Sequence, residues 1–206
     1  MMLAIMSDDF SASPSIGHLS VQHSARDRLF AEEDAPNADF VFDERVARVF
    51  GDMLDRSVPG YPQIIESIGL IAARHLQPGA PLFDLGCSLG TATAGMLARV
   101  RDPAMRIVAV DNAEAMIQGL HQRLPDAIAS GRVEPRLADV CDVDTRGACV
   151  VLLNLTLQFL PPKQRLPLLR RIRQGLVPGG VLILVEKVIW EEAETNRLMQ
   201  ELHADF

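Results

Sequence analysis

The sequence is poor in cysteine and in aromatic residues, and it contains no long apolar run. Its three cysteines, Cys87, Cys141 and Cys149, lack the paired spacing of a metal site, and an odd number is typical of reduced thiols. No segment approaches the roughly 20 apolar residues of a membrane span, and the first ten residues lack the basic segment of a signal peptide. These absences predict a cytoplasmic protein with no metal ion and no membrane partner.

Positive charge is in the minority, with 20 Lys and Arg against 27 Asp and Glu and a formal net charge of −7. Because tight non-specific binding to nucleic acid depends on neutralising phosphates, this balance predicts no strong direct nucleic-acid binding. One predicted helix is nevertheless basic, and we favour a solvated helix face there over the alternative of a local contact with RNA. Its basic residues are Lys163, Arg165, Arg170, Arg171 and Arg173.

The chain contains enough apolar material for one domain with its own core, at 206 residues and 48% hydrophobic content. Residues 1–38 are rich in Ser, Asp, Ala and Pro, and their apolar residues show no sustained periodicity. We therefore predict a flexible N-terminal extension there. Residues 39–206 then alternate between apolar strands and amphipathic helices and are predicted to form an α/β domain.

Five short apolar segments separated by helices predict an α/β fold with a doubly wound parallel sheet. One of them contains Pro135, which favours a position at the edge of the sheet. Ligands of such sheets bind beyond the carboxyl ends of the strands, so the residues at those ends are the candidates for function. The predicted strands are "PLFDLG", "RIVAVD", "VEPRLAD", "ACVVLLNL" and "VLILVEK".

The strongest motif is the glycine turn "DLGCSLG", residues 84–90, between the first of these strands and its helix. Gly86 and Gly90 permit a tight turn and a close approach to a ligand, although the motif alone also fits a plain connection. Asp111 ends the next strand, 25 residues beyond Gly86, where a carboxylate can accept hydrogen bonds from a ribose. A helix N-cap is the other interpretation of Asp111. A nucleophilic Cys87 is disfavoured, because no histidine lies near it in sequence.

Two further polar residues, Asp139 and Asn154, follow the third and fourth strands. Loop solvation for Asp139 and a backbone hydrogen bond for Asn154 are the local alternatives. Because the strand ends meet at one edge of the sheet, these groups together predict a single crevice. With Ser88 in place of a second glycine, the loop suits a zwitterionic tail better than a pyrophosphate, which points to S-adenosylmethionine. Asp84 would favour the cationic end of that ligand.

Six stretches resemble, in order and spacing, the carboxy-S-adenosyl-L-methionine synthase family of class I S-adenosylmethionine-dependent methyltransferases. The resemblance covers about residues 40–206 and implies a Rossmann-like class I methyltransferase fold. In that family a carboxylate-binding arginine and the last two strands follow the "HADF" stretch. Since this sequence stops there, the resemblance implies a domain that lacks the usual last two strands, is incomplete at its C-terminus and has an uncovered sheet edge. The stretches are "FDERVARVFGDMLDRSVPGY", "DLGCSLG", "VDNAEAMI", "LNLTLQFL", "GLVPGGVLILVEK" and "HADF".

The resemblance also implies a reaction. Family members convert S-adenosylmethionine and prephenate into carboxy-S-adenosylmethionine and phenylpyruvate, and a partner tRNA carboxymethyltransferase uses the product to modify a wobble uridine. A homodimer is implied as well. Tyr61, the only tyrosine, would without the resemblance be interpreted equally well as a half-buried packing residue. The family's ligand contacts correspond to Tyr61, Gly86, Cys87, Ser88, Asp111, Asn112, Asp139, Val140 and Asn154.

No residue of the sequence is an obvious general base, and no catalytic residue is assigned. The resemblance implies substrate-assisted chemistry, in which the departing group of prephenate removes a proton from the sulfonium methyl group and the resulting ylide captures the released CO2. Two other functions stay open: an ordinary S-adenosylmethionine-dependent methyltransferase acting on a small molecule or tRNA, and a non-catalytic protein that keeps the ligand-binding fold.

Overall fold

The computed structural model of the chain describes residues 2–6, 53–54 and 56–205. Their strands are β1 (Met2–Met6), β2 (Leu82–Leu85), β3 (Ile107–Asp111), β4 (Val133–Leu137), β5 (Ala148–Asn154) and β6 (Leu176–Glu186). They form one sheet in the order β1-β6-β5-β2-β3-β4, in which β2 to β6 are parallel and β1 is antiparallel to β6. The predicted parallel α/β sheet and the edge position of the strand with Pro135 are confirmed.

The helices follow the strands and cover both faces of the sheet. The face covered by the helices Tyr61–Arg74, Thr91–Arg99 and Glu114–Arg123 is packed with Leu82, Ile107 and Ile183, and the face covered by the helix Pro162–Gly175 is packed with Phe83, Val108 and Leu153. Because every second residue of a strand points to the same face, the central strands β2, β3 and β5 bury apolar side chains on both sides. The helices are α1 (Tyr61–Arg74), α2 (Thr91–Arg99), α3 (Glu114–Arg123), α4 (Pro125–Ala129), α5 (Pro162–Gly175) and α6 (Ala193–Asp205), with a 3₁₀ turn at Leu157–Phe159.

The N-terminal segment differs from the prediction. Met2–Met6 were predicted as part of a flexible extension, but they pair with β6 from Met2 opposite Glu186 to Met6 opposite Leu182. The physical reason is that the outer edge of β6 presents unpaired backbone N–H and C=O groups, which an extended segment can satisfy. The edge predicted to be uncovered is therefore covered along this register. The rest of the predicted extension, residues 7–38, lies outside the described residues.

The strand β6 begins earlier than the sequence indicates. "PGG" predicted a turn before the strand, but β6 already pairs with β5 at Leu176, opposite Ala148, and resumes at Val181, opposite Val150. The residues between them form an irregularity in the strand, with Gly179 at φ +76°. Among the described residues, β6 is followed by the helix α6 and by no further strand.

Candidate functional site

A cavity of about 560 Å³ opens at the carboxyl ends of the parallel strands. Its size lies within the range of about 300–1,000 Å³ that is usual for small-molecule sites. The residues that the sequence analysis selected all line it, although they come from four different strand ends and one helix: Tyr61, Gly86, Cys87, Ser88, Asp111, Asn112, Asp139, Val140 and Asn154. The structure thus brings the predicted set together, while the contact of each residue with a ligand remains a prediction.

The glycine turn depends on backbone conformations that favour glycine. Gly86 has φ +81° and Gly90 has φ +78°, and Ser88 between them has φ +50°. A Cβ on Gly86 would lie 2.4 Å from the Thr156 Oγ1 atom, and one on Gly90 would lie 2.3 Å from the Leu120 Cδ1 atom. The positive φ favours glycine at both positions, and at Gly86 the close contact with Thr156 also leaves no room for a Cβ atom.

Asp111 ties the glycine turn to the end of β3. Its Oδ2 atom accepts the Ser88 backbone N–H at 2.9 Å, and its Oδ1 atom accepts the Ala113 backbone N–H at 2.9 Å. The N-cap position of α3 is occupied by Ala113, so Asp111 is not the N-cap. Each carboxylate oxygen has two lone pairs, so Asp111 keeps acceptor capacity for a ribose hydroxyl. Burial raises the pKa of Asp111, and the three backbone N–H groups of Ser88, Asn112 and Ala113 act in the opposite direction.

Asp139 and Val140 close the cavity beyond β4. The Asp139 Oδ1 atom accepts the Cys141 backbone N–H at 2.7 Å, which fixes the turn, and Val140 is buried. The Asp139 side chain thus bonds to the backbone of its own turn and also lines the cavity, so a local role and a place in the site do not exclude each other. We call this side of the cavity the β3–β4 end and define it by Asp111, Asn112, Asp139 and Val140.

Asp84 is a fully buried carboxylate in the wall of the cavity. Its Oδ2 atom accepts a 2.6 Å hydrogen bond from the Thr93 hydroxyl, whereas its Oδ1 atom has no partner among the described residues. Burial raises the pKa of Asp84 to about 6, the negative charge of Asp111 adds to the rise, and the Thr93 hydrogen bond opposes it. A cation in the cavity would stabilise the ionised form of this group.

Asn154 and Tyr61 meet on the other side of the cavity, although they are 93 residues apart. The Asn154 Nδ2 atom donates to the Tyr61 hydroxyl at 3.3 Å, and the buried Asn154 Oδ1 atom has no partner among the described residues. The next residue, Leu155, has φ +57°, which is uncommon for a bulky side chain, and its N–H donates to the Val185 carbonyl at 2.8 Å. We call this side the β5–β6 end and define it by Tyr61, Asn154, Thr156 and Lys187.

The wall of the cavity between the ends of β5 and β6 was not predicted from the sequence. Gln158, Phe159 and Leu160 follow β5, and Lys187 follows β6; all four line the cavity. The mostly apolar stretch after β5 does not show, from its sequence alone, that it will line a cavity. The only available signal was topological, because β6 lies beside β5 and its end must meet the same edge.

This wall is held in place by two charged side chains behind it. The Glu186 Oε1 atom accepts the Leu157 backbone N–H at 2.6 Å. Arg165, predicted as part of a solvated helix face, instead donates to the carbonyls of Leu160 at 2.9 Å and Gln158 at 3.0 Å. Burial raises the pKa of Glu186, and the backbone N–H groups and Arg165 lower it.

Cys87 lies in the turn but is 4% exposed, and burial raises the pKa of its thiol well above the usual value. A neutral thiol is a weak nucleophile, which agrees with the sequence-based argument against a nucleophilic Cys87. In the described part of the chain, no cluster of three or more His, Cys, Asp or Glu residues is arranged to hold a metal ion. No helix within those residues is long and apolar enough to cross a bilayer.

Comparisons with known proteins agree on fold and family. A family model described as a methyltransferase domain matches residues 82–180. The chain is 48% identical to a carboxy-S-adenosyl-L-methionine synthase from Aeromonas hydrophila, over 88% of this chain and 73% of that protein. It is 47% identical to the protein of the same name from Pseudomonas aeruginosa, over 89% of this chain and 76% of that protein.

Two solved structures show the same fold at low sequence identity. An S-adenosylmethionine-bound amino pentose methyltransferase from Micromonospora echinaspora matches with a TM-score of 0.55 at 20% identity, over 76% of this chain and 61% of that one. A riboflavin-derivative dimethyltransferase from Streptomyces davawensis matches with a TM-score of 0.54 at 26% identity, over 74% and 44% of the two chains. The Rossmann-like class I methyltransferase fold implied by the sequence is confirmed.

Proposed function

Because the chain belongs to the carboxy-S-adenosyl-L-methionine synthase family, we propose that it converts S-adenosylmethionine and prephenate into carboxy-S-adenosylmethionine and phenylpyruvate. The observation that carries this proposal is the arrangement in one cavity of every residue that the family resemblance selects. S-adenosylmethionine is a substrate here, because its methyl group is modified and not transferred.

The polar atoms of the cavity fit an adenosyl sulfonium better than a phosphate. Asp84, Asp111 and Asp139 line the cavity, and carboxylates there would repel a pyrophosphate. The buried Oδ1 atoms of Asp84 and Asn154 lack partners among the described residues, and an ammonium group of a ligand would satisfy such acceptors. In this arrangement Asp111 holds the ribose, Asp139 lies near the adenine, and the β5–β6 end faces the reacting methyl group.

In the proposed reaction, the proton passes from the methyl group of one substrate to the hydroxide that leaves the other. When bound, S-adenosylmethionine supplies a sulfonium that makes its methyl protons acidic. Prephenate aromatises by losing its ring carboxylate as CO2 and its ring hydroxyl as hydroxide. The hydroxide and one methyl proton form water, and the methyl carbon then bonds to CO2. The residues of this chain orient both molecules and exclude bulk water, so that CO2 is captured before it escapes.

The test is a mass measurement with a labelled atom. The protein is incubated with S-adenosylmethionine and prephenate carrying 13C in the ring carboxylate, and the adenosyl product is analysed by mass spectrometry. We expect a product heavier by one CO2 that contains the label, and none without prephenate. Methyl transfer to an acceptor with no carboxylated product would favour an ordinary methyltransferase. Ligand binding without either product would favour a non-catalytic binding protein.

The family resemblance supports further proposals about the setting of this reaction. We propose a cytoplasmic homodimer whose product is used by a tRNA carboxymethyltransferase at a wobble uridine. Sedimentation velocity measures the oligomeric state directly. Adding the purified product to such a transferase and its tRNA substrate tests the second step, and a lack of carboxymethylated nucleoside would contradict it.

A further inference from the structure

The β5–β6 end differs from the rest of the cavity in the sign of its charge. The ionisable groups that line the cavity and come from β2, β3 and the turn after β4 are all carboxylates: Asp84, Asp111 and Asp139. Of the described residues that line it, Lys187 alone carries a positive charge. We propose that Lys187 binds a carboxylate of the second substrate and thereby selects an anionic ring compound; this rests on the function proposed above.

Lys187 follows β6 and lies on the side of the cavity opposite the β3–β4 end. β6 lies beside β5 on the side away from β3 and β4, so Lys187 extends the site beyond Asn154 and away from the ribose-binding Asp111. A nucleoside that spans β3 and β4 leaves this side free for another molecule. The cation is therefore placed next to the reacting end and not next to the adenosine.

The ammonium group of Lys187 is available to a ligand in the cavity. Its side chain is exposed, and no ion pair or hydrogen bond of this lysine exists within the described part of the chain. The neighbouring carboxylate, Glu186, is engaged elsewhere, since it accepts the Leu157 N–H at 2.6 Å and lies within the influence of Arg165. The ammonium group is thus not neutralised by the residue next to it.

The residues that line the cavity beside Lys187 are an aromatic, an amide and an aliphatic side chain. Phe159 is 58% exposed and lines the same side of the cavity, together with Gln158 and Leu160. An aromatic face, an amide and an ammonium group suit a ring compound that carries a carboxylate. A dianion in a cavity with three carboxylates is repelled by them, and the cation at the β5–β6 end offsets that repulsion.

The experiment uses the full chain, which contains only two lysines, Lys163 and Lys187. Lys163 is exposed on α5 and does not line the cavity, so Lys163→Gln is the matched control for Lys187→Gln. Initial rates are measured with prephenate varied at saturating S-adenosylmethionine, and the affinity for S-adenosylhomocysteine is measured by calorimetry. Lys187→Arg tests whether the charge alone is sufficient.

We expect Lys187→Gln to raise the KM for prephenate about 10-fold with a small change in kcat and no change in S-adenosylhomocysteine affinity. Lys187→Arg should stay within about 3-fold of the wild type, and Lys163→Gln should equal it. Added salt should raise the KM of the wild type more than that of Lys187→Gln, because screening weakens only the charged contact.

Two results would overturn the inference: an unchanged KM for prephenate in Lys187→Gln, or an equal loss of S-adenosylhomocysteine affinity, which would place the lysine on the amino-acid carboxylate of the nucleoside. Failure of the proposed function is recognised separately, because the wild type would then form no carboxylated product. In that case prephenate is titrated into the S-adenosylhomocysteine complex by calorimetry. Binding that Lys187→Gln abolishes would still support an anion site, and no binding by the wild type would refute it.

Discussion

The two ends of the cavity are held by different means. At the β3–β4 end, the carboxylates of Asp111 and Asp139 accept backbone N–H groups two residues further along the sequence, at 2.9 and 2.7 Å. Asp111 also accepts the N–H of Ser88, 23 residues away in sequence, at 2.9 Å. At the β5–β6 end, side chains far apart in sequence meet, and the buried Asn154 Oδ1 atom lacks a partner among the described residues. We infer that the first end is organised without ligand, whereas the second is completed by the substrates.

The glycine turn, which Asp111 holds through the Ser88 N–H, packs against the β5–β6 end where Gly86 meets Thr156. We expect the largest effect from Gly86→Ala, because the added Cβ would lie 2.4 Å from the Thr156 Oγ1 atom and φ is +81°. The free energy of unfolding should fall by about 3–5 kcal/mol, the sum of strain and overpacking. Chemical denaturation measures this loss.

The control is Gly79→Ala, because Gly79 has a similar φ of +75° but no atom of the described residues lies within 4 Å of the added Cβ. It should cost only about 1 kcal/mol, since the backbone strain remains and the clash is absent. Equal losses in the two variants would show that the contact with Thr156 is unimportant for stability.

The next effect tests the preorganised β3–β4 end. Asp111→Ala removes the acceptor of the Ser88 and Ala113 N–H groups and of the proposed ribose bonds. Affinity for S-adenosylhomocysteine should fall on the order of 100-fold, with a measurable loss of thermal stability. Asp111→Asn keeps one carbonyl acceptor and should give an intermediate result. Calorimetry that finds wild-type affinity in Asp111→Ala would refute both the proposed ribose contact and the difference between the ends.

The smallest effect concerns Asp84, whose pKa burial raises from 3.8 to about 6. A folded-state pKa above the unfolded one means that the stabilisation is present below pH 3.8 and is lost as the pH rises to about 6 and beyond. Asp84→Asn has no carboxyl group to ionise, so its free energy of unfolding should not fall as the pH rises. The variant should therefore be more stable than the unliganded wild type at neutral pH by roughly 1–3 kcal/mol. Thermal melts across this pH range provide the measurement.

Ligand affinity should change in the opposite direction. If the Oδ1 atom of Asp84, which has no partner in the described part of the chain, holds the ammonium group, Asp84→Asn binds S-adenosylhomocysteine about 10-fold more weakly at neutral pH. Thr93→Val serves as the control, because it removes the 2.6 Å hydrogen bond to Oδ2 and leaves the Oδ1 atom in place. Since that hydrogen bond lowers the pKa of Asp84, the control is compared with the wild type at alkaline pH, where the carboxylate is ionised in both. An affinity that does not respond to Asp84→Asn would place the ammonium group elsewhere.

Much of the fold and of the β3–β4 end could be predicted from the sequence. The strands are continuous apolar segments, and the polar residue that ends each one is a local feature, so Asp111 and Asp139 could be identified without coordinates. Resemblance to a family added Tyr61, whose sequence neighbours give no reason to place it in the site. Its partner Asn154 lies at a strand end and was found by topology.

What the sequence determined by itself was the alternation of strands and helices, the glycine turn and the sign of the charges near it, because each depends on residues within a few positions of one another. The tertiary structure alone decided that Met2–Met6 pair with β6, that Leu155 adopts a positive φ beside Asn154, and that Lys187 faces the same cavity as Asp84. These features arise where segments distant in sequence meet, and no short-range pattern encodes which edges and ends come together.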